Sequence, residues 1–351
     1  MKASKIAYFC PMSMSLQERV ELLAKLGDYL DSPNEKLDTV IHQTYLHNRW
    51  LTKENTQLAL QAVRQEFLDE NKLKTWVAQY NIPKQTSPQK IGLILAGNIP
   101  MVGFQDILNV FVAGHQSLIK YSEKDKHLIP HLIAVMAEIN PASASYFESV
   151  ERLKDFDAVI ATGSNNSARY FEAYFGKYPH IIRKNRTSVA ILNGNETEDD
   201  LKKLGIDVFR FFGLGCRNVS KLYVPKDYDF IPLLETWKRF EYVVNHDKYK
   251  SNFDYNYCLI IMNGMPYVSN GSILLQEGES LHSRIASLYY EYYNDLNEVT
   301  EKLQAQQQEI QCIASLEGID NLNVIPFGQA QQPTLNDYAD GVDTMEFLNK
   351  L

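Results

Sequence analysis

Cysteine is scarce in this chain: Cys10, Cys216, Cys258 and Cys312 are the only four in 351 residues, and no two stand at the spacing of a CxxC pair or a zinc-ligand set. That argues against a structural metal site. No apolar run approaches the length of a membrane span, and the first twenty residues lack the hydrophobic stretch of a signal peptide. The expectation is a cytoplasmic protein with reduced thiols and no membrane span. Positive charge is also in deficit, with 35 Lys and Arg against 43 Asp and Glu, for a net charge of −8. A protein built to grip nucleic acid or an anionic membrane carries the opposite balance. The GxGxxG fingerprint of ordinary dinucleotide-binding turns is missing as well, and no internal repeat is present.

What the chain does have is a hydrophobic content of 45% over a length that suggests two domains. From Ser15 to about Tyr80 the pattern is helical. "SLQERVELLAKLGDYL" sets Leu16, Val20, Leu23 and Leu26 on one face. "TKENTQLALQAVRQEFLDENKLKTWVAQY" reads as a second helical stretch, ended by the prolines of "NIPKQTSPQ".

Strands and helices then alternate. "KIGLILAGN", "QSLIKYS" and "FDAVIATGS" read as strands, while "MVGFQDILNVFVAG", "HLIPHLIAVMAEI" and "NSARYFEAYFG" read as helices. Such alternation implies an α/β fold with a mainly parallel sheet, whose ligands collect beyond the carboxyl ends of the strands. "AGNIP" and "ATGS" fall at such ends. "TSVAIL" starts a second α/β region near Arg186, followed by the helix "ETEDDLKKLGIDVFRFF" with its acidic first turn. Within "YCLIIMNGMPYVSNGSILLQE", Asn263-Gly264 between strand-like runs is a hairpin signal. The tyrosine-rich "SLYYEYYND" alternates as a strand, and "LQAQQQEIQ" reads as a polar helix face.

Among the cysteines, Cys216 stands apart. In "RFFGLGCRNVSKLYVP" it lies at a helix-to-strand turn, and Gly213 and Gly215 clear side chains from around it. A reachable thiol in such a turn suits a nucleophile, although a space-filling core cysteine fits the local pattern too. Cys258 reads as a core residue of an apolar strand, and Cys10 and Cys312 lack a glycine setting.

Taken in order, Asn98-Ile99-Pro100, Ala113-Gly114, Lys120-Tyr121-Ser122-Glu123, Thr162-Gly163-Ser164 and Gly215-Cys216 resemble the aldehyde dehydrogenase superfamily. Within it, "LAGNIP" with "GLGCRNVSKLYVP" looks most like the LuxC-type fatty acyl-CoA reductases. The resemblance implies an aldehyde-dehydrogenase-like fold of two α/β domains, a Rossmann-like cofactor domain and a catalytic domain. On this reading residues 1–185 hold the N-terminal helices and the nicotinamide-cofactor domain, residues 186–320 the cysteine domain, and residues 321–351 a C-terminal return segment.

The activity implied is reduction of a fatty acyl thioester, an acyl-CoA or another carrier's, to the aldehyde through a thioacyl-cysteine. The resemblance makes Cys216 the nucleophile, and the Asn98 amide with the Cys216 N–H the donors to the oxyanion. Lys120, Ser122, Glu123, Gly163, Ser164 and Glu279 fall to the cofactor. NADPH is the expected cofactor with NADH as the alternative, and a protein that supplies acyl groups is an implied partner. The oligomeric state is left open.

Each of these residues also has a plainer reading: a turn residue before Pro100 for Asn98, a solvated strand-end lysine for Lys120, a surface carboxylate for Glu279. Aldehyde-oxidising members carry a glutamate base near the position that Arg183 fills in "IIRKNRTSVAIL". Its absence suits a reductase, which must keep water from the thioester. The run Arg183-Lys184-Asn185-Arg186 reads as a solvated turn or a site for carrier phosphates. None of the eight histidines has a spacing that marks it as the base for Cys216; His180 and His282 come nearest. The stretch between Pro83 and Lys90 leaves little room for the superfamily's oligomerisation hairpin. Rival readings are an acyl-phosphate or short-chain acyl-CoA reductase, a cofactor-independent cysteine acyltransferase, and a non-catalytic binding module.

Overall fold

The computed structural model describes residues 14–83 and 87–351, so Cys10 and residues 84–86 lie outside it. The chain divides into two compact units. One runs to Lys184 and takes in Thr334–Tyr338 and Val342–Leu351; the other comprises Asn185–Pro333 and Ala339–Gly341.

The first unit begins with four helices, α1 (Leu16–Asp31), α2 (Glu35–His47), α3 (Lys53–Glu66) and α4 (Glu70–Val77). Ser15 and Glu18 form a capping box that starts α1, and Val20, Leu23 and Leu26 are buried on its inner face. The second helical stretch is two helices and not one. Asp69 accepts from the Lys72 N–H and caps α4, so the pattern restarts there.

Five strands follow, β1 (Lys90–Ile94), β2 (Gln116–Lys120), β3 (Phe147–Ser149), β4 (Ala158–Thr162) and β5 (His180–Arg183), all parallel in the order β3-β2-β1-β4-β5. Between them run α5 (Phe104–Ala113), α6 (Leu128–Ile139) and α7 (Asn165–Phe175). Nine of the ten residues of α5 are buried, which its run of apolar side chains dictates. Strand order reverses between β1 and β4, and that reversal is where open α/β sheets leave a crevice.

The second unit holds β6 (Thr187–Ile191), α8 (Glu198–Phe209), β7 (Val219–Pro225), α9 (Phe230–Trp237), α10 (Asp247–Met262), β8 (Val268–Ser269), β9 (Leu274–Glu277), β10 (Ser287–Tyr293), α11 (Leu296–Ala305), β11 (Ile310–Ser315) and β12 (Val324–Ile325). Its sheet runs β12-β11-β6-β7-β10-β9-β8, parallel except for the β8–β9 pair. The last helix, α12 (Thr344–Asn349), belongs to the first unit.

Asn263-Gly264 is not a hairpin turn. "YCLIIM" completes α10, and Asn263 caps it through its N–H to the Leu259 and Ile261 carbonyls, with Gly264 at φ +60 just beyond. The antiparallel turn lies further on, at Asn270-Gly271, where Gly271 has φ +87. Cys258 is accordingly an exposed helical residue and not a strand core.

Candidate active site

The three motif-bearing loops of the first unit leave the carboxyl ends of the adjacent strands β2, β1 and β4. After β1, Gly97 passes so close to the next loop that a Cβ there would lie 2.6 Å from the Ser122 Cβ and Oγ. Only glycine permits that approach. Asn98, half-buried, follows at once, and Met101 turns the chain with φ +62 before α5 begins. Asp125 holds this corner: it is 4% exposed and its Oδ2 accepts the Met101 N–H at 3.3 Å. Burial pushes its carboxyl up to about 6, against the pull of the Met101 and Leu128 N–H groups.

Lys120 and Glu123 are exposed, and Ser122 is partly buried between them. The Ser122 hydroxyl accepts from the Lys124 N–H at 3.2 Å. The N-terminal helices brace this loop: a ring nitrogen of His47 lies 2.6 Å from the Glu123 carbonyl, and the Asn48 amide donates to that of Lys124 at 3.1 Å. Beyond β4, a Cβ on Gly163 would meet Phe171 and Ser167, each at 2.8 Å. Ser164 caps α7 by accepting the Ser167 N–H at 3.2 Å. The first turn of such a helix has N–H groups without helical acceptors and favours an anion.

Arg183 ends β5 with 5% exposure. Its Nη1 donates to Asp106 Oδ2 at 2.6 Å and its Nη2 to the Thr344 hydroxyl at 3.1 Å. Arg186, in the other unit, pairs with Asp340 at 3.1 Å and donates to the Ile310 carbonyl. The basic run is therefore neither a solvated turn nor a phosphate site as a whole. Two of its three cations are spent on internal partners, and only Lys184 is exposed.

In the second unit, α8 ends at Phe209 and the chain turns left-handed: Phe211 at φ 54, Phe212 at φ 60, Gly213 at φ 75 and, after Leu214, Gly215 at φ 98. Non-glycine residues in this region cost roughly 1–2 kcal/mol each. Burial of both phenylalanine rings, with Phe212 packed 4.4 Å from the His246 ring, offsets that cost at roughly 1.5–3 kcal/mol per side chain.

Cys216 then occupies the first corner of a β-turn closed by the Asn218 N–H on the Gly215 carbonyl at 3.4 Å. The residue as a whole is half-buried, with its sulfur on the inner side. Burial of the sulfur pushes the thiol up, the Arg217 charge draws it down, and Cys312 and Asp340 push it up again. Arg217 reaches over to donate to Cys312 Sγ at 3.3 Å and to the Ala330 carbonyl at 3.4 Å.

Glu279 is exposed on a loop that leaves β9 and folds back over β7. Lys221, fully buried on β7, donates to the Gly278 carbonyl at 2.5 Å, and the Ser220 hydroxyl donates to that of Leu281. The loop is thereby pinned on both sides of Glu279 to the strand that begins just after Cys216. His282 faces Glu309 at 3.9 Å, and His180 faces Glu172 at 3.8 Å and the Tyr178 carbonyl at 2.8 Å.

The profile of the family described as "Acyl-CoA reductase (LuxC)" matches residues 12–235, more than half of the chain and inclusive of the Cys216 turn. The chain belongs to the LuxC family of acyl-CoA reductases. None of the curated proteins matches it. Among solved structures, aldehyde dehydrogenase 21 from Physcomitrella patens, in complex with the reaction product succinate, is 11% identical with a TM-score of 0.70 over 97% of this chain and 85% of that one. A NAD-dependent aldehyde dehydrogenase from Sinorhizobium meliloti is 13% identical with a TM-score of 0.64, covering 86% and 70%. An aldehyde dehydrogenase from Bartonella henselae is 14% identical with a TM-score of 0.61, covering 87% and 75%. The fold of this LuxC-family chain is thus that of the aldehyde dehydrogenases.

Several residues around these loops carry no sequence signal. Asp125 and His47 in the first unit, and Ser188, Lys221 and Cys312 in the second, come to their places through contacts between positions far apart in the chain. Among the described residues, no helix is long and apolar enough to cross a membrane, and no group of three or more His, Cys, Asp or Glu side chains could hold a metal ion.

Proposed function

We propose that this acyl-CoA reductase acts on fatty acyl thioesters through a covalent intermediate on Cys216, with NADPH as the preferred reductant. The carrying observation is the left-handed turn that sets Cys216 at the corner just before β7. Strain of this kind persists only where the surroundings over-determine it, and it gathers at functional sites.

Cys216 Sγ attacks the thioester carbonyl, the carrier thiol leaves with the proton, and the acyl group stays on Cys216. The negative oxygen of each tetrahedral stage needs donors of a kind whose single loss costs about 2.7–4 kcal/mol of barrier, and the family resemblance gives that role to the Cys216 N–H and to the Asn98 amide. A bound reduced nicotinamide would supply hydride for the thioester carbon, and Cys216 would be freed as its thiohemiacetal collapses to the aldehyde.

The residues of the first unit fit such a cofactor. The crowding at Gly163 keeps the start of α7 bare, and Ser164 leaves that helix end capped and open to a pyrophosphate. Lys120 and Ser122 take the adenosine ribose. Glu123 carries its carboxylate 3.2 Å from Lys126, so the rim bearing Lys120, Lys124 and Lys126 is net positive, which supports a ribose phosphate and hence NADPH over NADH. Glu279 takes the nicotinamide ribose from its pinned loop. Soluble turnover in the cytoplasm, with acyl groups delivered by a partner protein, completes the reading.

The test is oxidation of NADPH and NADH by purified protein with acyl-CoAs of graded chain length, with a carbonyl trap for the aldehyde and Cys216→Ala in parallel. Aldehyde formed by the wild type and lost in the variant supports the proposal. Aldehyde formed equally by both sinks it.

A further inference from the structure

We propose that Ser188 is a positioning residue for Cys216, acting as a clamp that sets the geometry of the nucleophile's turn. The assignment rests on the reading of Cys216 as the nucleophile. Ser188 is fully buried on β6, and its hydroxyl donates to the Cys216 carbonyl at 3.0 Å while accepting the Cys312 N–H at 3.1 Å. Its own N–H donates to the Asn218 carbonyl at 3.0 Å. One residue therefore grips the turn at Cys216 and at Asn218, on either side of Arg217, and ties it to β11.

The sheet is irregular at this point on both sides. Between β6 and β7 the register runs Ser188 to Val219 and then Val189 to Lys221, so Ser220 is an extra residue. Between β6 and β11 it runs Thr187 to Ile310 and then Val189 to Ile313, so Gln311 and Cys312 both stand opposite Ser188. Bulges re-aim side chains and release backbone groups from the ladder. Here the released Cys312 N–H goes to the Ser188 hydroxyl, whose proton is then committed to the Cys216 carbonyl.

Holding that carbonyl fixes the peptide plane after Cys216, and with it the direction of the Cα–Cβ bond that carries the sulfur. The turn closure from Gly215 to Asn218 fixes the plane before it. The clamp also keeps Arg217 within 3.3 Å of Cys312 Sγ and keeps the Cys216 sulfur in its enclosed position. Loss of the clamp has a signature that simple destabilisation lacks. A freed turn exposes the thiol to small reagents and lets its ionisation relax towards that of an ordinary cysteine, while the enzymatic reaction, which needs the aimed sulfur, slows.

The experiment uses full-length wild-type, Ser188→Ala and Ser188→Thr proteins. It reads kcat and KM for acyl-CoA reduction, together with the pH profile of iodoacetamide labelling at Cys216, located by peptide mass spectrometry. The expected result for the alanine variant is a kcat lowered on the order of 10²-fold with KM near the wild-type value, as misplacement of a reacting group produces, and a labelling inflection moved to lower pH. The threonine variant, which keeps the hydroxyl, restores both. If the alanine variant does not fold, Ser188→Cys, of similar volume but with a weak donor, carries the same expectation.

A wild-type kcat in the alanine variant overturns the proposal, as does a lowered kcat with an unmoved labelling profile, which would make Ser188 a structural residue only. If the wild type reduces no acyl thioester, the acyl-reductase reading fails, and the labelling profile alone still decides the clamp.

Discussion

Arg183 and Asp106 form a buried ion pair at the end of β5, with Nη1 2.6 Å from Oδ2 and both side chains almost wholly withdrawn from water. The aldehyde-dehydrogenase resemblance puts a carboxylate base of the oxidising enzymes near position 183. Arg183 commits its guanidinium to Asp106 on α5 and to Thr344 on the C-terminal helix. A cation so placed cannot activate water.

The pair makes a stability prediction. Asp106→Ala strands a buried guanidinium, and breaking a buried pair by removing one partner costs about 3–5 kcal/mol. Denaturant unfolding should show the transition of the variant at lower urea, whereas Lys350→Ala, which breaks an exposed pair with Glu346, should leave it in place. An Asp106→Ala protein as stable as the wild type would show that the pair contributes nothing.

A second prediction concerns water. With no carboxylate base at position 183, acyl-CoA added without reductant should give a stoichiometric burst of free CoA and then stop, because the acyl group stays on the enzyme. Continuous CoA release in the absence of NAD(P)H would mean that another group activates water.

Cys216 gives a pH prediction. Burial pushes the thiol up, so alkylation of the free enzyme should rise through an inflection at higher pH than that of an ordinary exposed cysteine. Arg217 contributes the opposing positive charge, and Cys312 and Asp340 the unfavourable neighbours. Arg217→Gln should therefore move the inflection up, and Cys312→Ala should move it down. Shifts in the reverse directions would refute this account of the thiol's surroundings.

Asp125 links the β1 corner to stability. Its folded carboxyl, raised to about 6 from an ordinary 3.8, binds a proton more tightly in the native state than in the unfolded chain. Its contribution is fully present below the unfolded value and is lost as pH rises through about 6. Asp125→Asn keeps an oxygen for the Met101 N–H and carries no charge, so it should gain up to about 3 kcal/mol over the wild type at pH 8 and little at pH 4. Urea titrations at the two pH values measure the difference, and a gain independent of pH would contradict it.

The strands β1, β2 and β4 were legible as short apolar runs because both faces of a parallel sheet are covered. The motif loops lay at their ends for the same reason. What local pattern misses is what long-range contact decides. "YCLIIM" has strand-like composition, yet it completes a surface helix whose first turn is capped by His246, so Asn263-Gly264 ends a helix. The left-handed Phe211 and Phe212 carry no sequence signal; both are buried, and Phe212 packs on His246 and Tyr249, more than thirty positions away. Ser188 looks like any strand serine; its partners Cys216 and Cys312 are 28 and 124 residues distant. Arg183 looked solvated because its neighbours are basic, and Asp106, 77 residues earlier, is what draws it inside.

The central claim is that the acyl group passes through Cys216. The most direct measurement incubates the protein with a long-chain acyl-CoA alone, digests it under conditions that preserve thioesters, and weighs the peptide that contains Cys216 before and after addition of NADPH. The account predicts an acyl mass on Cys216 that disappears on addition of NADPH as free aldehyde appears. Aldehyde production with Cys216 never acylated, or an acyl mass carried on Cys258 or Cys312 instead, would contradict it.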